Sequence, residues 1–275
     1  MTRRHREVLA AAALVLTAML ASPGQAEDAK LRLVIEGPQR TPANSARDPY
    51  RHPLEGMAFF GLRDTMTVVE IWPGGSGWWT EILAPYLLDH GRYYAALPEA
   101  ARSAEARAGR EAFARKLAAN PALYGKVVVT TFAGDRYDIA PAGSADLVLS
   151  FRNLHNWLTD GTAEAAFRAF YRALKPGGVL GIVDHRADPA RPREVSMKSG
   201  YVREDEAVAL ALRAGFRLAA RSEVNANPRD TKDYPEGVWS LPPTYRLKDQ
   251  DRAKYQAIGE SDRFTLKFVK PAGGK

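Results

Sequence analysis

The chain has 275 residues, 45% of them hydrophobic and 26% charged, with no cysteine and a formal net charge of +7. This length suits one large α/β domain that buries its core without cross-links, and the lack of cysteine excludes a disulfide scaffold, a thiol nucleophile, a lipidated cysteine and cysteine-type zinc sites. The positive excess is spread along the chain rather than gathered in one run, so it speaks for solubility and does not argue for nucleic acid.

Arg3, Arg4 and Arg6 precede an uncharged apolar run from Val8 to Leu20, followed by Pro23 and the small-residue triplet Gly24-Gln25-Ala26. This order reads as a secretory signal peptide cleaved after Ala26. The apolar run is short of the roughly 20 residues that span a bilayer. The expectation is an exported protein, periplasmic or secreted, with residues 27–275 as one mature domain and no stable membrane anchor.

Residues 27 to about 45 read as an extended lead-in, and Leu54 to Leu62 as a short helix. Apolar runs and amphipathic stretches then alternate. Strands are expected at Thr67–Trp72, Arg92–Leu97, Lys126–Phe132, Ala145–Phe151, Val179–Asp184, Phe216–Glu223 and Phe264–Val269. Helices are expected at Thr80–Asp89, Ala100–Ala119, Thr162–Leu174 and Arg203–Ala214. Alternation of this kind gives βαβ units and a mostly parallel sheet. Val127-Val128-Val129 and Leu147-Val148-Leu149 suit strands buried on both faces. Between Asn225 and Asp262 the pattern dissolves among prolines and charges, as in a functional loop or insertion.

The most informative stretch is Glu70-Ile71-Trp72-Pro73-Gly74-Gly75-Ser76-Gly77. A strand ends, glycines permit a tight turn, and a helix begins near Thr80. Such a turn lets backbone N–H groups approach a polar ligand beyond the carboxyl ends of the strands.

With Ser144-Ala145-Asp146-Leu147-Val148-Leu149-Ser150, with Ala173-Leu174-Lys175-Pro176-Gly177-Gly178, with Gly215-Phe216 and with Asp262-Arg263-Phe264-Thr265-Leu266-Lys267, this turn resembles the class I S-adenosylmethionine-dependent methyltransferases. More narrowly, the chain is similar to predicted exported bacterial methyltransferases. The resemblance covers about Arg47 to Pro271. It implies a Rossmann-like, doubly wound α/β sheet of seven strands, mostly parallel with an antiparallel last strand. It also implies S-adenosylmethionine as cofactor and a small-molecule methyl acceptor. The residues it assigns to the cofactor are Glu70, Trp72, Pro73, Gly74, Gly75 and Gly77 of the turn, Asp135 after the third strand, and Ser150 at the end of the fourth. Two positions depart from the pattern. Trp72 stands where the first glycine is usual, and Leu97 stands where an acid usually holds the ribose hydroxyls, so Glu99 is the expected substitute.

The loop Phe151-Arg152-Asn153-Leu154-His155-Asn156-Trp157 faces the substrate in this fold. His155 suits a general base or a cap or packing residue of the next helix, Asn153 suits substrate positioning, Trp157 suits stacking, and the resemblance places Arg152 in the loop that flanks the methyl donor, as a further catalytic candidate. Asp184-His185-Arg186 can close the same pocket or serve as plain loop solvation. Arg47, Asp48, Arg51 and His52 form either a lid over the cofactor carboxylate or a salt-bridged N-terminal segment. No histidines show H-x-x-x-H or H-E-x-x-H spacing, so no metal site is expected, and Gly75-Ser76-Gly77 is not a G-x-S-x-G elbow. Two other functions stay open: a non-catalytic ligand-binding protein on the same scaffold, and a nicotinamide-dependent oxidoreductase, which the turn fits less well for want of G-x-G-x-x-G.

Overall fold

The computed structural model describes residues 23–133 and 136–273. The signal-peptide reading therefore lies outside the described residues except for its last four, and the expected adenine contact Asp135 lies outside them as well. Four helices open the fold: α1 (Pro23–Ile35), α2 (Pro42–Ser45), α3 (Asp48–Arg51) and α4 (Pro53–Phe60). Then come β1 (Thr67–Ile71), α5 (Thr80–Leu87), β2 (Arg92–Leu97), α6 (Ala104–Ala119), α7 (Pro121–Tyr124), β3 (Val128–Ala133), β4 (Arg136–Asp138) and β5 (Ala145–Phe151). The remainder is α8 (Leu154–Thr159), α9 (Ala163–Ala173), β6 (Leu174–His185), α10 (Arg193–Lys198), α11 (Glu204–Arg213), β7 (Arg217–Ser222), α12 (Arg252–Ile258) and β8 (Arg263–Val269).

One sheet holds all eight strands in the order β4-β3-β2-β1-β5-β6-β8-β7. Neighbours from β3 to β6 run parallel, while β8 lies antiparallel between β6 and β7. The seven expected strands are all present. The count of seven needs correction, because β4 turns back antiparallel on β3. With only three residues, β4 shows no alternation that a sequence could display.

Both faces of the central strands are covered, which is why their apolar residues run on without a polar face. Val69, Ile71, Ala96 and Val148 point to one layer with Phe167 and Phe170 of α9 and Leu210 of α11. Val68, Ala95, Leu147 and Leu149 point to the other with Met57 and Phe60 of α4 and Ile82 and Leu83 of α5. At β3 the expectation of two buried faces fails. Val128 and Val129 are 38% and 42% exposed, because β4 pairs only with Thr131–Ala133 and leaves the first half of β3 on the sheet edge.

The lead-in is also helical rather than extended. Leu31, Val34 and Ile35 recur at helical spacing and join the layer of α4 and α5, and Lys30 pairs with Asp64 at 2.5 Å. The pattern-free segment from Asn225 to Asp262 folds into turns and α12 around Tyr234, Leu241 and Tyr255. Its ends are tied to the sheet, with Asn225 Nδ2 donating to Thr265 Oγ1 at 2.8 Å.

Candidate functional site

Two groups of residues gather at the carboxyl ends of the parallel strands, separated by α8. The first surrounds the glycine turn. The backbone N–H of Trp72 extends the β1–β2 ladder to Ala96 O at 2.8 Å. Trp72 then takes φ 51°, a left-handed conformation rarely adopted by bulky residues. Its ring reaches across the end of β2, so that Nε1 donates to Phe132 O on β3 at 2.9 Å. There it meets Phe132 and Trp157 edge-on, at 6.0 and 5.6 Å. The Arg102 guanidinium lies 4.7 Å from the Trp72 ring and pairs with Asp160 at 2.6 Å.

These side chains line a cavity of about 580 Å³ together with Glu99, Tyr137 and Thr162, a volume within the range of small-molecule sites. Its aromatic walls suit a flat base, and Glu99 is a carboxylate suited to vicinal hydroxyls. The cavity therefore fits a nucleoside chemically, with Glu99 rather than Leu97 as the acid. Leu97 is buried. A larger groove of about 730 Å³ runs between Leu97, Val129 and one face of α6, away from these groups.

The glycines divide their roles. A Cβ on Gly74 would meet nothing within 4 Å, and its φ is +73°, so this position is open to a ligand. A Cβ on Gly75 would press on Ala112 and Gly109 at 3.1 to 3.4 Å, and one on Gly77 would press on Lys116 and Thr80. Gly75 and Gly77 therefore admit α6 and the start of α5 rather than a ligand. Pro73 is buried beside Gly74. Glu70 also lies beneath the turn instead of facing the cavity. It accepts the Tyr93 hydroxyl at 2.5 Å, and Thr80 Oγ1 lies 2.9 Å from the same hydroxyl. Burial pushes its carboxyl up to about 8, against the lowering effects of the Tyr93 hydrogen bond and the Arg51 charge. Ser150 is fully buried, and its Oγ has no hydrogen-bond partner.

The second group lies on the other side of α8. His155 donates its backbone N–H to Asp184 Oδ2 at 3.2 Å and places Nδ1 3.1 Å from Asp184 Oδ1. The same Oδ1 accepts the His185 N–H at 2.7 Å. Burial alone would raise the Asp184 carboxyl, but His155, His185 and these hydrogen bonds hold it below its ordinary value. An ionised Asp184 accepts a hydrogen bond from Nδ1–H, which leaves His155 Nε2 as the acceptor. His185 is buried with Nδ1 2.5 Å from Ser261 Oγ. Burial lowers its pKa well below the usual histidine value, and the charge of Asp184 opposes this. Ligating atoms of His155, Asp184 and His185 lie within 4.8 Å of one another, but Arg152 and Arg263 add a positive field at His185 that would oppose a cation there. Asn153, expected to orient a substrate, is buried and clamps the end of β1 by donating to Ile71 O at 2.8 Å. Trp157 faces the aromatic cavity, while Trp239 stands 6.2 Å from the His155 ring.

Beside the histidines, four arginines converge on one carboxylate. Glu260 Oε1 pairs with Arg47 at 2.6 Å, and Oε2 lies 3.1 Å from Arg263, 3.6 Å from Arg51 and 4.0 Å from Arg152. Burial would raise Glu260, but the four guanidiniums hold it down at about 2. Arg152 itself sits at φ 61°, which turns its side chain toward this cluster, and burial beside like charges brings its pKa down to about 10. Sequence reading singled out Arg47, Arg51 and Arg152 but missed Glu260, Arg263 and Tyr93.

Residues 74–182 match the family model described as a methyltransferase domain. Among solved structures, the chain is similar to a SAM-dependent methyltransferase from Aquifex aeolicus, at 17% identity and a TM-score of 0.52, over 88% of this chain and 98% of that one. It is also similar to the [4+2]-cyclase SpnF, at 15% identity and a TM-score of 0.55, over 91% and 96%. A search of the curated proteins found no match. The protein thus has the fold seen in an S-adenosylmethionine-dependent methyltransferase, and its residues 74–182 match a methyltransferase-domain model, a match that implies S-adenosylmethionine as cofactor.

Proposed function

We propose that the protein transfers a methyl group from S-adenosylmethionine to a small-molecule acceptor, with His155 as general base. The observation that carries this reading is the His155–Asp184 pair, which stands at the ends of β5 and β6, across α8 from the nucleoside-sized cavity. Glu99 would hold the ribose hydroxyls, the aromatic walls the adenine, and the open backbone at Gly74 the region beside them. Bound there, S-adenosylmethionine supplies an electrophilic methyl group on a sulfonium. Asp184 fixes the His155 tautomer and offsets the charge as the imidazole takes the acceptor's proton. Much of the rate then comes from holding the reactants in line.

The test is S-adenosylhomocysteine formation when the full chain is given S-adenosylmethionine and the small-molecule fraction of its source cells. The wild type is expected to form product, and His155→Ala to form at least about a hundredfold less. Equal formation by both would remove His155 from the chemistry.

Trp72 supports a second reading, a ligand-binding protein or an enzyme of another reaction on the same scaffold. Its ring occupies space that a glycine would leave empty, and a similar fold carries the name of a cyclase. Fold alone does not choose between these.

We also infer export, from Arg3, Arg4, Arg6, the apolar run from Val8 to Leu20 and the triplet ending at Ala26. Among the described residues no helix is long and apolar enough to cross a membrane. Cleavage after Ala26 would trim only the first turn of α1 and spare its buried Leu31. N-terminal sequencing of the protein from its source cells is expected to begin at Glu27. A chain retaining Met1 in the cytoplasm would refute export.

A further inference from the structure

The arginine cluster holds more positive charge than the groups around it neutralise. Arg47, Arg51, Arg152 and Arg263 share Glu260. Asp184 and Asp262 also act on Arg152 and Arg263, but their oxygens are engaged by other groups, Asp184 by His155 and the His185 N–H, and Asp262 by Lys232 at 2.9 Å. Several donors also lack hydrogen bonds. Among the described residues, Arg51 Nε and Nη2, Arg263 Nε and Arg47 Nη2 are buried with no hydrogen bond, Arg51 Nε lying 3.6 Å from Glu260, although Arg51 and Arg263 are only 6% and 4% exposed. Unpaired buried donors on charged groups are costly and mark a place where a partner is expected.

Arg51 and Arg263, with Arg152 and Asn225, line a cleft of about 10 Å³ together with the apolar faces of Trp79, Phe151 and Val183. That is about the room one oxygen-sized atom needs. The ring of Trp79 stacks on Phe151 at 4.4 Å and keeps the local dielectric low, which strengthens a charge-assisted bond. Arg152, 27% exposed at its side chain, forms the rim, and it stands three residues before His155 in the same loop.

We propose that this cluster is an oxyanion-binding site for the methyl acceptor, so that the acceptor carries a carboxylate, phosphate or sulfate group. One anionic oxygen enters the cleft between Arg51 and Arg263, Arg152 holds the group at the rim, and the acceptor's reacting atom is directed toward His155. The inference rests on the methyl-transfer reading above. The donor also has a carboxylate, but it brings an ammonium and a sulfonium with it. Its net charge is positive, so it cannot offset a surplus of arginines. An anionic acceptor can.

The experiment is calorimetric titration of the full chain at low salt with inorganic phosphate, alone and after saturation with S-adenosylhomocysteine. The expected result is phosphate binding that persists in the saturated protein, weakens about tenfold or more in Arg51→Gln and in Arg152→Gln, and strengthens in Glu260→Gln, where the internal competitor is neutral. Affinity for S-adenosylhomocysteine is expected to stay the same in Arg152→Gln. Two results would overturn the proposal. One is the absence of phosphate binding by protein that binds S-adenosylhomocysteine. The other is competition between the two ligands, with Arg152→Gln weakening S-adenosylhomocysteine but not 5′-methylthioadenosine, which lacks the amino-acid carboxylate; that would assign the cluster to the donor. Phosphate binding with no S-adenosylhomocysteine binding would uphold the anion site and sink the donor reading instead.

Discussion

The two sides of α8 are built on opposite physical principles. Toward β1–β3 the site is aromatic, and its cavity is held open by edge-on rings and a tryptophan in a left-handed backbone. Toward β5, β6 and β8 it is ionic and tightly closed, with one carboxylate among four arginines and a His–Asp pair beside them. The aromatic side is suited to a flat, uncharged moiety whose burial is favourable. The ionic side is held in tension, since like charges stay together there chiefly through Glu260, with smaller help from Asp184 and Asp262. A ligand that is cationic at one end and an acceptor that is anionic would therefore sort themselves between the two.

The strongest way to break the ionic side is to remove its central counter-charge, the one all four arginines share. Glu260→Ala leaves buried guanidiniums unpaired and is expected to cost about 3–5 kcal/mol of unfolding free energy, measured by urea denaturation. The same carboxyl sets an acid limit. Its folded pKa of about 2 lies below the ordinary carboxylate value, so its contribution is present above pH 4.5 and is lost as pH falls toward 2. Glu260→Ala should flatten that part of the stability profile.

Next in size is the chemistry. His155→Ala is expected to lower kcat by about 10²–10⁴ while leaving S-adenosylhomocysteine affinity unchanged, because its ring lies on the far side of α8 from the aromatic cavity. A parallel loss of affinity would show that the two sides are not separate.

The legibility of these regions in the sequence differs for the same reason. The aromatic side is made largely by a local turn and strand ends, so Glu70–Gly77 and Glu99 could be placed from order along the chain, and the seven longer strands followed from their apolar runs. The ionic side joins Arg47 to Glu260, 213 residues apart, and no periodicity links such residues. His155 and Asp184 stood out singly as polar residues after strands, but only the parallel pairing of β5 and β6 brings them together. Glu260 ends a stretch without pattern, where nothing distinguishes it from its charged neighbours. Helix α8 has six residues and α7 four, too few for a period to show. The spacing of Leu31, Val34 and Ile35 was a usable signal for α1, obscured by the polar residues around it.

On the aromatic side a smaller effect is expected from Trp72→Gly. The variant relieves a strained backbone worth about 1–3 kcal/mol but loses the ring contacts and the bond to Phe132 O. Stability should fall by about 1–2 kcal/mol, and S-adenosylhomocysteine should bind about tenfold more weakly if Trp72 is a wall of its pocket. Tighter binding in calorimetry would show that the ring obstructs the ligand.

The last effect concerns Glu70 and depends on pH. Its folded pKa, about 8, lies above the ordinary carboxylate value, so the folded state favours the protonated form and stability is lost as pH rises from about 4.5 through 8. Glu70→Gln is expected to match the wild type at pH 5 and to exceed it at pH 9 in thermal denaturation, and an equal midpoint at both pH values would mean that Glu70 is ionised at no cost.

The donor site is tested most directly by calorimetric titration of the full chain with S-adenosylhomocysteine, beside Gly74→Asp. Micromolar binding, about −8 kcal/mol, is expected, and it is lost when a carboxylate fills the open position at Gly74. No binding by a wild-type chain shown to be folded would contradict it and leave the scaffold to another ligand.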